Sequence, residues 1–136
     1  MPSRYNLFVS HRWSHDGTYH GLLQLLDRAP AFPYRNYSVP QHYSWPEDTP
    51  EDVLVEGLRR QIRYSSCVVV CAGVNATYSD WIELELAIAA EEFGKPIVGV
   101  KPHGAKRVSG LVRDYADEIV GWRKASIEGA IRDYCG

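Results

Sequence analysis

A carboxylate stands inside an apolar stripe. At about 100° per residue, the stretch from Asp80 to Phe93 gathers Ile82, Leu86, Ala89 and Phe93 on one side, with Trp81, Leu84 and Ile88 widening the arc. Glu85 falls within that arc, between Trp81 and Ala89, whereas Glu83 and Glu91 point away from its centre and read as solvated. Burying a carboxylate without partners is costly, so Glu85 admits two readings. It either sits at the margin of the arc, reaching water and pairing with an arginine, or it is a partly desolvated carboxylate beside a pocket. A second group with chemical potential is the polar cluster His11-Arg12-Trp13-Ser14-His15-Asp16-Gly17, which follows a short apolar run ending at Ser10. The five histidines, His11, His15, His20, His42 and His103, do not fall at metal-ligand spacing. The three cysteines, Cys67, Cys71 and Cys135, lack a Cys-x-x-Cys partner pattern and read as buried free thiols. Gly-x-Ser-x-Gly, Walker and Gly-x-Gly-x-x-Gly signatures are absent, which argues against serine hydrolysis, nucleoside triphosphate hydrolysis and Rossmann redox chemistry.

The elements that must hold these groups alternate. Tyr5 to Ser10 is aromatic and β-branched and reads as a first strand. Thr18 to Asp27 carries Tyr19, Leu22, Leu23, Leu25 and Leu26 at helical spacing before Pro30 and Pro33 break it. Tyr34 to Val39, flanked by Pro33 and Pro40, suits a strand at a sheet edge. A loop rich in Pro, His, Tyr and Trp then runs to Pro50 and is long enough to be functional. Thr49-Pro50-Glu51-Asp52 starts a helix with a capping hydroxyl, an early proline and acids at the positive end of the dipole, and the pattern reaches Tyr64. Cys67 to Ala72 is a continuous apolar run of the kind buried on both faces of a parallel sheet. Asp80 caps a helix with Glu83 three residues on, and Gly94 stops it. Pro96 to Val100 is a fourth strand; a helix over Val108 to Tyr115, a strand over Glu118 to Gly121 and a helix from Lys124 to Tyr134 complete the chain.

Strands alternating with helices predict an α/β three-layer sandwich, a five-stranded parallel sheet of flavodoxin-like order 2-1-3-4-5 with helices on both faces. At 136 residues the expectation is one domain spanning 1–136. Ligands of such sheets collect at the carboxyl ends of the strands, here beside the loops 11–17, 40–50 and 73–80. Fifteen Lys and Arg against 17 Asp and Glu leave a net charge of −2, so nucleic acid is not the expected ligand. The longest apolar run is far short of the roughly 20 residues that cross a bilayer, and the opening Met-Pro-Ser-Arg-Tyr-Asn lacks a secretory pattern, so the expected location is the cytoplasm, with no membrane partner.

Tyr78-Ser79-Asp80-Trp81-Ile82-Glu83-Leu84-Glu85-Leu86 resembles the helix motif of TIR domains, in which a Ser and a Trp precede an acid four places after the Trp. Phe8-Val9-Ser10-His11-Arg12 is similar to the Phe-Ile-Ser-Tyr/His-Arg opening of that family. Asn36-Tyr37-Ser38-Val39-Pro40 resembles the second strand of compact bacterial TIR-like proteins, which include the signal-making component of Thoeris anti-phage systems. The likeness spans roughly Tyr5 to Val100. The loop 40–50 departs from the animal and plant pattern, and no role is carried over to it.

In TIR domains that cleave NAD the motif acid is catalytic, so the resemblance implies that role for Glu85. It implies Ser10, His11 and Arg12 as substrate-binding residues, with Arg12 near phosphate, and Trp81 either walling the ribose or packing. NAD would be the substrate, with no cofactor and no metal. The implied activity breaks the nicotinamide–ribose bond and makes an ADP-ribose-derived signal, cyclic or conjugated, that reaches a separate effector by diffusion. Self-association and a phage-derived trigger are further partners the resemblance implies. The rival is a non-catalytic interaction module built on the Trp- and Tyr-rich loops. Two more distant readings are a phosphoacceptor receiver, which wants an acidic pair where Ser10-His11-Arg12 stands, and a nucleoside deoxyribosyltransferase, which also attacks a glycosidic bond with a carboxylate.

Overall fold

The β-branched and aromatic runs become strands and the amphipathic runs become helices in a computed structural model that describes residues 5–10, 18–27, 34–36, 51–72, 80–102, 108 and 110–135. In chain order these are β1 (Tyr5–Val9), α1 (Thr18–Asp27), β2 (Tyr34–Asn36), α2 (Glu51–Tyr64), β3 (Cys67–Cys71), α3 (Asp80–Ala87), β4 (Ile97–Val100), α4 (Gly110–Tyr115), β5 (Glu118–Val120) and α5 (Lys124–Cys135). The strands form one sheet in the order β2-β1-β3-β4-β5, and every neighbouring pair is parallel. That is the flavodoxin-like order the alternation predicts.

The Val-rich run of β3 is central because it offers only apolar side chains, and Cys67, Val68, Val69 and Val70 are all fully buried. β2 lies at the edge, and the Tyr34 hydroxyl donates to Asp27 Oδ1 at 2.7 Å, tying it to the end of α1. At the other edge the Ile97 N–H donates to Asp117 Oδ2 at 2.8 Å, and the Asp117 N–H to the Ile97 carbonyl at 2.8 Å, so one side chain fastens the entries of β4 and β5 together.

α5 packs on β1, β3, β4 and β5 and meets α1, while α2, α3 and α4 form the second helical layer. The core between the layers includes Leu7, Phe8, Leu22, Ile62, Leu86, Ile97, Ile127 and Ile131. Each such fully buried side chain contributes about 1.5–3 kcal/mol relative to exposure. Gly99 permits close approach of α4: a Cβ there would stand 3.1 Å from both Val112 and Ile119.

Two features differ from expectation. The helix expected to run unbroken from Asp80 to Phe93 is α-helical only to Ala87 and continues as a π-helical turn over Ile88–Glu92, in which the Phe93 N–H donates to the Ile88 carbonyl at 3.1 Å. It then stops where the sequence places its glycine, Gly94 at φ 62°. The second difference concerns the cysteines. Cys67 and Cys135 are joined in a disulfide with Cα atoms 5.5 Å apart, not free thiols. The pairing is invisible locally because 68 residues separate the partners; it exists because α5 crosses the sheet and ends over the first residue of β3.

Candidate active site

β1 delivers Ser10 to the carboxyl edge of the sheet. Its N–H continues the ladder by donating to the Val69 carbonyl at 2.9 Å, so the residue is held by the backbone beside the end of β3. Ser10 is fully buried, and its Oγ makes no hydrogen bond among the described residues. A sealed hydroxyl of this kind costs free energy unless a partner is supplied.

α3 starts beyond the carboxyl end of β3 and runs back over the sheet, as the crossover of a parallel unit requires. Glu85 lies five residues in, about 7.5 Å along the axis at 1.5 Å per residue. Helical Cβ atoms tilt toward the amino terminus of their helix, which aims this side chain back toward the strand ends. Glu85 is 3% exposed, in company with Leu86 (0%), Ala89 (0%) and Ile88 (3%). Of the two readings of the stripe, the water-reaching margin is therefore excluded.

The neighbouring acids behave differently. Glu83, Glu91 and Glu92 are exposed. Glu92 pairs with Arg59 of α2 at 3.0 Å, and Glu91 accepts the Tyr115 hydroxyl at 3.3 Å. Burial and the adjacent Glu91 carboxylate together push the Tyr115 phenol above its ordinary value of 10.0. Among the described residues Glu85 is the one buried carboxylate, the other buried polar residues being Ser10 and Ser65. Ser65 is satisfied locally, donating to the Ile62 carbonyl at 2.7 Å. Ser10 and Glu85 are thus the two buried polar residues that belong to the carboxyl side of the sheet.

A desolvated carboxylate can accept hydrogen bonds from hydroxyls and stabilise positive charge more strongly than it would in water. It is suited to a reaction that develops a cation. No group of three metal-ligating side chains occurs among the described residues, and no described helix is long and apolar enough to cross a membrane. A groove of about 380 Å³ lined by Glu56, Arg59, Arg60, Arg63, Tyr64, Glu92 and Phe93 lies elsewhere. It is formed where α2 runs into β3 and the π turn into β4, the amino edge, and its two carboxylates already engage Arg59.

His11 and Arg12 lie outside the described residues, as do Trp13, Trp45 and the loops 37–50 and 73–79. Trp81 lies in the first turn of α3, one helical turn before Glu85; its side chain is outside the description.

The family model of the Thoeris protein ThsB, TIR-like domain, matches residues 8–107. That span runs from β1 past the end of β4 and contains Ser10, His11, Arg12, Trp81 and Glu85. No curated protein is matched by this chain. Among solved structures, the CMP N-glycosidase BcmB of Clostridium botulinum is similar over 95% of this chain and 99% of its own, at 14% identity and a TM-score of 0.56. At that identity the likeness is one of fold.

Proposed function

The chain belongs to the TIR-like family of the Thoeris protein ThsB, and from that premise we propose that it cleaves the nicotinamide–ribose bond of NAD to make an ADP-ribose-derived signal, cyclic or conjugated, for a separate effector in anti-phage defence. The observation that carries this reading is Glu85, a carboxylate 3% exposed within the motif helix.

The bond from the ribose anomeric carbon to the nicotinamide nitrogen breaks through an oxocarbenium-like state. The electron pair returns to a pyridinium ring, so nicotinamide leaves neutral and needs no acid. One carboxylate then suffices. Glu85 accepts hydrogen bonds from the ribose hydroxyls and stabilises the charge that grows on the ring, an interaction stronger in the transition state than in the bound substrate. Ser10 offers its buried hydroxyl to the same ligand, and the resemblance assigns His11 and Arg12 to substrate binding as well, with Arg12 near phosphate. On the resemblance, Trp81 would either wall the ribose or simply pack. Water as nucleophile gives ADP-ribose and a proton; a group of the substrate itself or an added molecule gives a cyclic or conjugated product.

A second reading draws on the fold it shares with a CMP N-glycosidase, which also acts on a nucleotide's N-glycosidic bond. A pyrimidine leaves as an anion unless it is protonated, so that reaction asks for an acid in addition to Glu85. The test is a substrate panel: the protein is incubated separately with NAD, CMP and deoxynucleosides, and released bases are followed by chromatography and mass spectrometry. Nicotinamide release with CMP untouched supports the proposal. Cytosine release with NAD untouched moves the chain to the nucleotide glycosidases.

A further inference from the structure

We propose that Cys67 and Cys135 form a reversible thiol–disulfide lock that fastens the end of α5 to the amino edge of the sheet, closed by oxidised glutathione and opened by thiol reductants. The inference is independent of the reading of Glu85.

Cys67 is the first residue of β3 and is fully buried; Cys135 is the last of α5 and is partly exposed. Their Cα separation of 5.5 Å lies in the middle of the range a disulfide spans without moving the backbone. The middle of α5 is anchored by Ile127, Ala130 and Ile131, all buried in the core. Its last turn is held differently. Arg132 donates to the Tyr5 hydroxyl at 3.4 Å and lies 5.8 Å from that ring's centre, it reaches Glu128 at 3.7 Å, and the Tyr134 hydroxyl donates to the Asp117 carbonyl at 3.5 Å. These contacts are long and involve exposed groups, the class that contributes little. The disulfide adds a covalent tie to the final turn, and it closes a loop long enough to restrict the unfolded chain substantially.

The asymmetry of burial governs how the lock opens. A reductant's thiolate meets Cys135 first. Attack there would expel Cys67 as a thiolate into apolar surroundings, a poor leaving group, and attack on Cys67 requires the last turn to lift. Opening is slow while α5 is docked and fast once its end frays. Closing the lock oxidises the two protein thiols to one S–S bond and reduces one glutathione disulfide to two glutathione thiols; opening is the reverse.

The full chain is equilibrated across a series of glutathione ratios, quenched with acid, and alkylated with iodoacetamide in denaturant. Three cysteines are present, so the lock predicts two species only, with one label (on Cys71) or three, exchanging in a single transition. The locked form should melt roughly 10–15 °C above the reduced form. Cys135→Ser should melt with the reduced form and ignore the glutathione ratio; because position 135 is only partly buried, this variant spares the core that Cys67→Ser disturbs. Three labels at every ratio, a bond mapped to Cys71 or between two chains, or equal melting of both forms would overturn the proposal.

Discussion

Replacing Glu85 by leucine should raise stability while it ends catalysis. The residue is 3% exposed among Leu86, Ile88 and Ala89, so leucine exchanges a dry carboxylate for a side chain that matches its surroundings. Burying an ionised carboxylate carries an effective desolvation penalty of several kcal/mol, and with part of it offset by the contacts of Glu85 a net gain of about 1–2 kcal/mol is the expectation here. Unfolding entropy of roughly 2.1 cal/mol/K per residue gives about 0.29 kcal/mol/K for this chain, so each kcal/mol moves Tm by about 3.5 °C. Glu85→Leu should therefore melt about 3–7 °C higher in a thermal scan. If Glu85 instead anchors the fold through its contacts, its loss costs about 3–5 kcal/mol and Tm falls by about 10–17 °C. A fall of that size would refute the view that this carboxylate is kept for chemistry at the expense of stability.

Ser10→Ala removes a hydroxyl that is buried without a hydrogen bond among the described residues, so stability should rise by about 1 kcal/mol, while calorimetric titration should show weaker NAD binding. Gly94→Ala should lower stability by about 1 kcal/mol, read as a lower midpoint in urea, because φ is 62° with open space around the missing Cβ and backbone strain is the whole cost. Tyr115 holds its proton more tightly folded than unfolded. Its contribution is thus complete below pH 10 and lost as pH rises through the higher folded value; a pH series of melting scans should show this loss, and Tyr115→Phe should remove it.

The fold was readable where side-chain period and punctuation agreed. α1 spans Thr18–Asp27 as its leucine spacing predicts, and β3 begins at Cys67 where the apolar run begins. The same periodicity separates Glu85 from Glu83 and Glu91, because a helix turns about 100° per residue whatever it packs against. It left the burial of Glu85 open, since the width of a buried arc depends on the partner layer. Long-range and subtle backbone features had no local sign. Nothing around Cys67 points to Cys135, and nothing in Ile-Ala-Ala-Glu-Glu marks a π turn rather than an α-helical one.

The central claim is that Glu85 stabilises a ribosyl cation formed from NAD. The direct measurement is nicotinamide release from NAD by the wild-type protein and by Glu85→Gln, at high protein concentration and in lysate from phage-infected cells, with a melting scan to show that the variant is folded. The account predicts release by the wild type and a loss of at least about 10²–10³-fold in the folded variant, with the product mass naming the nucleophile. Equal release by both proteins, or none by either under all these conditions, would contradict it and favour a non-catalytic interaction module.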